Sequence, residues 1–455
     1  MPVSWLRKTG GPLAQWLEQG TFNPRVVGSN PTRPSLDNTP RKRTGESLRR
    51  VVMTVTVCHS DEEMLLAAQP TCFLIADISG YTGYLADVEL DHAQDILADL
   101  IGAVVTALRP SFRLAKLEGD AAFTFAMLER VDGSMLLDTV ERCYFGFRRR
   151  RRDVRQATSC ECNACLQIPD LDLKFVVHHG CAIHQTVAGR RELLGSDVIV
   201  AHRLLKNDVV DRLGMGAYAL ISQNCIDVSD IDPTALGMRE HTETYDRIGD
   251  VPAWAHDLEH RWREEEARGR VFVSPEESIL VVSVPTNVPP QLAWEFVTKP
   301  WQRMTWQPWV TDVTVKGTTG GRRGIGSANH CMHGKDAVIE EILDWRPYDY
   351  VTDRTILATP GGPVRVLHTV EFEPGVEGTT IHFRYGAAKT QREKALMEVI
   401  APAYGQALRS GLPGLVAQLD AALEARDAGR DPEPELVRPR PDGPLSGLQP
   451  PVIVG

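Results

Sequence analysis

The 455-residue chain has no run of eighteen apolar residues, so no helix that spans a membrane is expected. It shows neither a secretory signal pattern nor a disulfide framework: three of its nine cysteines crowd into residues 160–165 and the rest are scattered. That usage leads us to expect a cytoplasmic protein whose thiols are reduced or on metal. Basic excess is missing too. The net charge of −10 argues against a general nucleic-acid binder, so no nucleic-acid partner is expected. Aromatics make up only 7%, yet 42% of residues are apolar, which fits a globular chain of two or three domains.

Residues 1–52 run against the overall charge, with nine Lys/Arg against three Asp/Glu. They hold turn-forming dipeptides but no sustained period, so no folded element is expected there. The stretch resembles the peptide made when a bacterial tRNA gene is translated. We expect a non-native or disordered extension, with Met53 as the true first residue; a basic flexible arm is the other reading. The tail, residues 427–455, includes "DPEPELVRPRPDGPLSGLQPP", is Pro-rich and is expected to be disordered.

Residues 70–262 read as one domain. "FLIADISGYTGYL" (73–85) opens with a core strand, Phe73 to Ala76, followed by Asp77 and a turn at Gly80. Residues 91–108 carry Ile96, Leu97, Leu100, Val104 and Leu108 at helical spacing. "FRLAKLEGDAAFTFAM" reads as two strands joined at Glu118-Gly119-Asp120. A second helix places Leu136, Val140, Tyr144 and Phe147 on one face, "LKFVVHHG" (173–180) is another core strand, and residues 195–207 begin a third helix. Strands alternating with helices define an α/β or α+β class with a central sheet.

Asp77 at a strand end and Asp120 in a hairpin turn lie one strand–helix–strand unit apart. A carboxylate pair so placed suits two divalent ions, one activating a hydroxyl and the other neutralising a triphosphate. Two unrelated turn aspartates remain the alternative on spacing alone.

"ADISGYT", "KLEGDA", "FVVHHG" and "GSDVIVAHRL" occur in the order seen in class III nucleotidyl (adenylate/guanylate) cyclases. The resemblance covers a little under half the chain. It is closer still to a bacterial branch of cyclase-like proteins known as a domain of unknown function, which shares the cysteine cluster. It implies a ferredoxin-like, cyclase-type α/β sandwich, a homodimer and ATP as the favoured nucleoside triphosphate. By the same resemblance Asp77 and Asp120 hold Mg²⁺ or Mn²⁺, and the backbone of Ser79, Gly80, Tyr81 and Thr82 cradles phosphates. Lys116 and Glu192 would read adenine, and Arg203 would stabilise charge building on phosphate. The asparagine expected four residues before that arginine is Ile199, which cannot hydrogen-bond a ribose oxygen.

"CECNAC" offers three thiolates, Cys160, Cys162 and Cys165, enough for zinc if a fourth ligand comes from Cys181, His178, His179 or Cys143. A redox-responsive thiol set and plain packing are the other readings. "FRRRRRDVR" (147–155) is expected to be a solvated helix end rather than a contact for phosphate or acidic partners.

Residues 263–275 read as a linker after a charged helix, and residues 276–426 as a second domain. "SILVVSVP" is a strand; short helices with Trp294 and Trp301 follow, then strand-like runs at 309–316, 337–345, 348–357, 363–372 and 379–385. A long helix closes the domain with Leu396, Ile400, Tyr404, Leu408, Leu415, Leu419 and Leu423 on one stripe. This order resembles the START-like helix-grip fold of the polyketide-cyclase/SRPBCC superfamily, an antiparallel sheet wrapped on a long C-terminal helix. The resemblance implies an apolar cavity for a hydrophobic small molecule or lipid, which Trp306, Trp309, Tyr385 and Tyr404 would line. No acid, base or nucleophile set stands out there. Two functions therefore compete: an adenylate cyclase tuned by an apolar ligand, and a sensor that binds nucleotide and hydrophobe without turnover.

Overall fold

In this computed structural model the described residues are 67–428, except 87, 110, 158–159, 188–189, 334–335 and 360–361. The expectations for residues 1–52, the start at Met53 and the tail beyond 428 lie outside them. Strand β1 (Gln69–Ser79) leads into the short helix α1 (Tyr81–Ala86) and into α2 (Leu90–Leu108). The hairpin β2 (Arg113–Glu118) and β3 (Ala121–Met127) precedes the long helix α3 (Gly133–Ala157). The turn α4 (Asn163–Leu166), strands β4 (Asp172–Val187) and β5 (Arg190–Leu194), and helix α5 (Ser196–Leu204) follow. Helix α6 (Val209–Leu213), β6 (Tyr218–Ser222), α7 (Gln223–Asp227), β7 (Arg239–Tyr245), β8 (Gly249–Asp257) and α8 (Leu258–Ala267) complete the N-terminal domain.

Its sheet runs β2-β3-β1-β4-β6-β8-β7, with β5 paired to β4. Alternation along β1 sorts the core. Cys72, Leu74, Ala76 and Ile78 pack against α2 and α3, whereas Phe73 and Ile75 pack with Phe123, Val198 and Ala201 beneath α5. The charged helix α8 anchors on this domain through buried Leu258 and Trp262.

The arginine run corrects an expectation. Arg150 binds both oxygens of Asp99 on α2 at 2.6 Å, Arg148 pairs with Glu259, and Arg151 donates to the Leu171 carbonyl. Because α3 lies flat against α2 and the strand β4 entry, these guanidinium groups meet neighbouring acceptors instead of bulk water.

The second domain begins with β9 (Ser278–Thr286), α9 (Pro290–Thr298) and α10 (Pro300–Trp306). Strands β10 (Asp312–Lys316), β11 (Ala328–His333), β12 (Asp336–Arg346), β13 (Tyr350–Leu357), β14 (Val364–Pro374) and β15 (Thr379–Gly386) lead to α11 (Gln391–Ala428). The sheet order is β10-β11-β12-β13-β14-β15-β9, antiparallel throughout. Strand β11 went unseen in the sequence because "ANHCMH" has no clear alternation.

The β10–β11 connection ties the two domains together. Arg322 binds Glu141 at 2.7 and 2.8 Å and Asp138 at 2.9 Å, both on α3. His256 and Arg261 complete the ring around Glu141 at 2.8 and 3.0 Å. Trp345 donates to Asp138 at 3.1 Å. Burial opposes ionisation of Glu141, but Arg322, His256 and Arg261 together outweigh it and hold the carboxyl well below its ordinary value. Gly321 makes the approach feasible: its φ is +79°, and a Cβ would stand 2.0 Å from the Asp230 carbonyl oxygen. A cavity of about 280 Å³ lies at this junction, lined by Asp138, Arg142, Arg261, Arg322 and Arg346 among others.

Candidate functional site

Asp77 lies two residues before the end of β1 on the α5 side of the sheet, because it continues the alternation of Phe73 and Ile75. Register sets Lys174 of β4 opposite it, and the ammonium lies 3.1 Å from Asp77 Oδ2. Asp120 sits in the β2–β3 turn, and the Ile78 N–H donates to its carbonyl at 3.2 Å, which pins the turn to the strand end. Burial, then the neighbouring Asp77 charge, push the Asp120 carboxyl above its ordinary value, with Lys174 pulling the other way. Tyr81 is close enough that Asp120 adds to the burial raising its hydroxyl. Two carboxylates thus converge with one ammonium between them and their neighbours, an arrangement that a divalent cation would relieve. The donor set fits Mg²⁺ or Mn²⁺, which prefer carboxylate oxygen.

Gly80 follows Ser79 with φ +87°, and a Cβ there would lie 2.9 Å from the Asp170 carbonyl oxygen. Tyr84 N–H donates to Gly80 O at 2.9 Å, and Thr82 is exposed. The remaining residues form separate groups. Lys116 is paired with Glu118 at 2.8 Å, and Glu118 also faces His202 at 3.3 Å. Glu192 is half-buried on β5 opposite Gln185. Arg203 is exposed on α5, near enough to Tyr245 for its charge to counter the burial that raises that hydroxyl. Ile199, one turn earlier, is 56% exposed. Lys174 escaped the sequence reading; only the register of β4 against β1 reveals it.

The cysteine cluster requires a correction. None of the four expected partners stands beside it. Cys143 is buried against the Val104 carbonyl, His178 bonds Ser222 at 2.8 Å, and His179 bonds the Leu128 carbonyl at 2.8 Å. Cys181 is half-buried on β4, where it pairs in register with Pro70 of β1. The neighbour is His92 at the start of α2: its Nδ1 lies 3.1 Å from Cys162, 3.6 Å from Cys160 and 3.9 Å from Cys165. Nearby, Tyr84 donates to the Ala164 carbonyl at 3.0 Å and Glu89 accepts from Ala164 N–H at 3.2 Å.

Inside the second domain Trp306 is buried beside Phe383, with ring centres 6.2 Å apart, and Tyr385 meets Tyr404 edge-on at 5.4 Å. Trp309 is half-buried and packs toward Gly411 of α11. Between these aromatics lies a polar set that the sequence reading missed. Arg303 binds both oxygens of Glu340, at 2.5 and 2.9 Å, and Asn329 adds a bond at 3.1 Å. His368 Nδ1 lies 2.9 Å from Asp353, which also accepts from Thr355 at 2.6 Å. Burial works against Glu340, yet Arg303 holds its carboxyl down at about 2; burial raises Asp353 against the pull of His368. The His368 ring stacks on Tyr385 at 4.2 Å, and its Nε2 is buried with no hydrogen-bond partner. Asp353 and His368 are register partners on β13 and β14, a pairing that no local motif announces.

The chain thus folds as a mixed α/β domain with a carboxylate pair near one end of its sheet, followed by an antiparallel sheet closed by the long helix α11. Comparison with known proteins gives the same division. The model of a protein of unknown function (DUF2652) matches residues 97–212, and that of polyketide cyclase / dehydrase and lipid transport matches residues 279–420. An uncharacterized protein of Mycobacterium tuberculosis is 39% identical over 113 residues, 25% of this chain and 52% of that protein. The chain thus spans about half the length of that relative. Similar solved structures include the guanylyl cyclase Cya2, at 14% identity over 41% of this chain and 91% of that one, TM-score 0.33. The adenylyl cyclase CyaB from P. aeruginosa is 13% identical over 42% of this chain and 95% of that one, TM-score 0.32. Among the described residues no helix is long and apolar enough to cross a membrane.

Proposed function

We propose that the N-terminal domain binds a nucleoside triphosphate, ATP in preference, with Mg²⁺ or Mn²⁺ at Asp77 and Asp120, and converts it to cyclic AMP and pyrophosphate. The observation that carries this reading is the convergence of the two carboxylates at one end of the sheet, with Asp120 pushed up by burial and by Asp77. A divalent ion held there would neutralise triphosphate charge and make the attacking ribose hydroxyl more acidic. The N–H groups of Ser79, Gly80, Tyr81 and Thr82 bind phosphate oxygens. Lys116 and Glu192 read the base, and Arg203 offsets charge that builds on the α-phosphate as the 3′-oxygen attacks and pyrophosphate departs. As the cyclase resemblance implies, a homodimer would bring the aspartate pair from one copy and Lys116 with Arg203 from the other.

The helix-grip domain, on this reading, holds a hydrophobic small molecule or lipid against Trp306, Trp309, Tyr385 and Tyr404. Arg303, Glu340 and His368 would meet a polar end of that ligand, and its binding would regulate the N-terminal domain. A second reading is favoured by one observation: Ile199 is an exposed apolar residue where a hydrogen bond to ribose is needed. The protein would then sense nucleotide and hydrophobe without turnover.

The test is direct. Full-length protein incubated with ATP or GTP and Mg²⁺ or Mn²⁺ should form cyclic nucleotide, and Asp77→Ala should not. Metal-dependent nucleotide binding without product, in both the native protein and Ile199→Asn, would leave the sensor reading. Absence of nucleotide binding would remove both.

A further inference from the structure

We propose that His92, Cys160, Cys162 and Cys165 bind one zinc ion as a closed structural centre, and that this centre braces the segment running from Gly80 to His92. The four ligand atoms all lie within 4.8 Å of one another, and the His92 Nδ1 distances to sulfur span 3.1 to 3.9 Å. Tetrahedral zinc, with Zn–S near 2.3 Å and Zn–N near 2.0 Å, sets its ligands roughly 3.5–3.8 Å apart. The cluster therefore closes on the ion with small side-chain shifts. Three soft sulfur donors with one imidazole select zinc over the hard ions suited to Asp77 and Asp120. Four protein ligands leave no open position for water or substrate, which makes the centre structural rather than catalytic.

Its location gives it work to do. Cys165 is buried, and Cys162 precedes the α4 turn, whose Ala164 is already held at its N–H by Glu89 and at its carbonyl by Tyr84. Zinc would add a bond from His92 to the same turn. Gly80, at the head of the segment, packs against Asp170 just beyond the turn. The loop after Asp77 is thereby clamped at its far end by metal. The centre itself is independent of the nucleotide reading.

Elemental analysis of full-length protein purified without chelator should find close to one zinc per chain. A mercurial thiol reagent should release it to a chromogenic chelator. Cobalt substitution should show tetrahedral ligand-field bands and thiolate charge transfer. His92→Ala should surrender zinc to a competing chelator at least tenfold more readily, while His92→Cys, which restores a fourth ligand, should keep it. Should His92→Ala fail to fold, the native protein still decides: zinc removal should speed amide exchange across residues 80–92 and leave the helix-grip strands unchanged. Native protein that carries no zinc and binds none when it is added overturns the centre, as does His92→Ala retaining zinc as tightly as the native chain. Unchanged exchange at residues 80–92 on removal overturns the bracing role.

Discussion

At the mouth of the N-terminal sheet two carboxylates share a single ammonium, whereas inside the helix-grip domain Glu340 and Asp353 each already have a cationic or hydrogen-bonding partner. Asp77 and Lys174 keep 18% and 22% of their side-chain surface exposed, while Glu340 and Arg303 keep 7% and 14%. A half-buried, under-neutralised pair costs less to maintain than a fully buried one and gains most from an arriving cation. A buried pair must be neutral overall from the moment the chain folds, so its charges hold structure first and meet a ligand second.

The sharpest way to break the comparison is to strip one partner from each site. Arg303→Ala leaves Glu340 buried and uncompensated and should cost about 3–5 kcal/mol of stability in denaturant unfolding. Asp77→Ala should instead leave the unfolding midpoint nearly unchanged, because it relieves Asp120. In calorimetry it should abolish metal-dependent nucleotide binding, a loss of roughly several kcal/mol.

Acid should separate the two sites in sign. Glu340 has a folded value of about 2 against an ordinary 4.5, so its stabilisation is complete above pH 4.5 and disappears as pH falls through 2. Asp120 is raised, so the penalty of its charge is relieved as pH falls through its folded value. Asp120→Asn should therefore stabilise the metal-free protein near neutrality, and Glu340→Gln should flatten the acid limb of its stability curve. Both are read from thermal unfolding against pH.

The smallest effect concerns chemistry. Ile199→Asn, on an exposed helix face, should leave stability within about 0.5 kcal/mol and raise cyclic product roughly tenfold, about 1.4 kcal/mol in barrier. A matched change at Lys116→Glu should weaken ATP relative to GTP, measured as the ratio of their affinities.

The difference between the sites also decided what could be read in advance. Asp77 and Asp120 stand beside local signals, a strand end with Gly80 and the hairpin glycine Gly119 at φ +69°, so chain-local chemistry exposed them. Helical periodicity likewise located α2, α3 and α11 to within a few residues. Glu340, Asp353 and His368 carry no such marker: each is a buried polar residue within a strand, and only strand pairing joins them. His92 was missed for the same reason. It lies about seventy residues before the cysteines, in a helix whose apolar stripe drew the attention. Strands β6 to β8 are short and closely flanked by turns, and the Pro252 within β8 masks its alternation.

Arg322 reaches from the β10–β11 connection into α3, where Glu141 and Asp138 have surrendered their water to receive it. Pulling the halves apart would take Arg322 and Trp345 from Asp138 and leave Glu141 with His256 and Arg261 alone. Heat should melt the pair in one calorimetric transition. Expressed alone, the first domain should be saved by acid substitutions such as Glu141→Gln more than by added salt. A single transition would mean that whatever loads one half is felt as stability by the other.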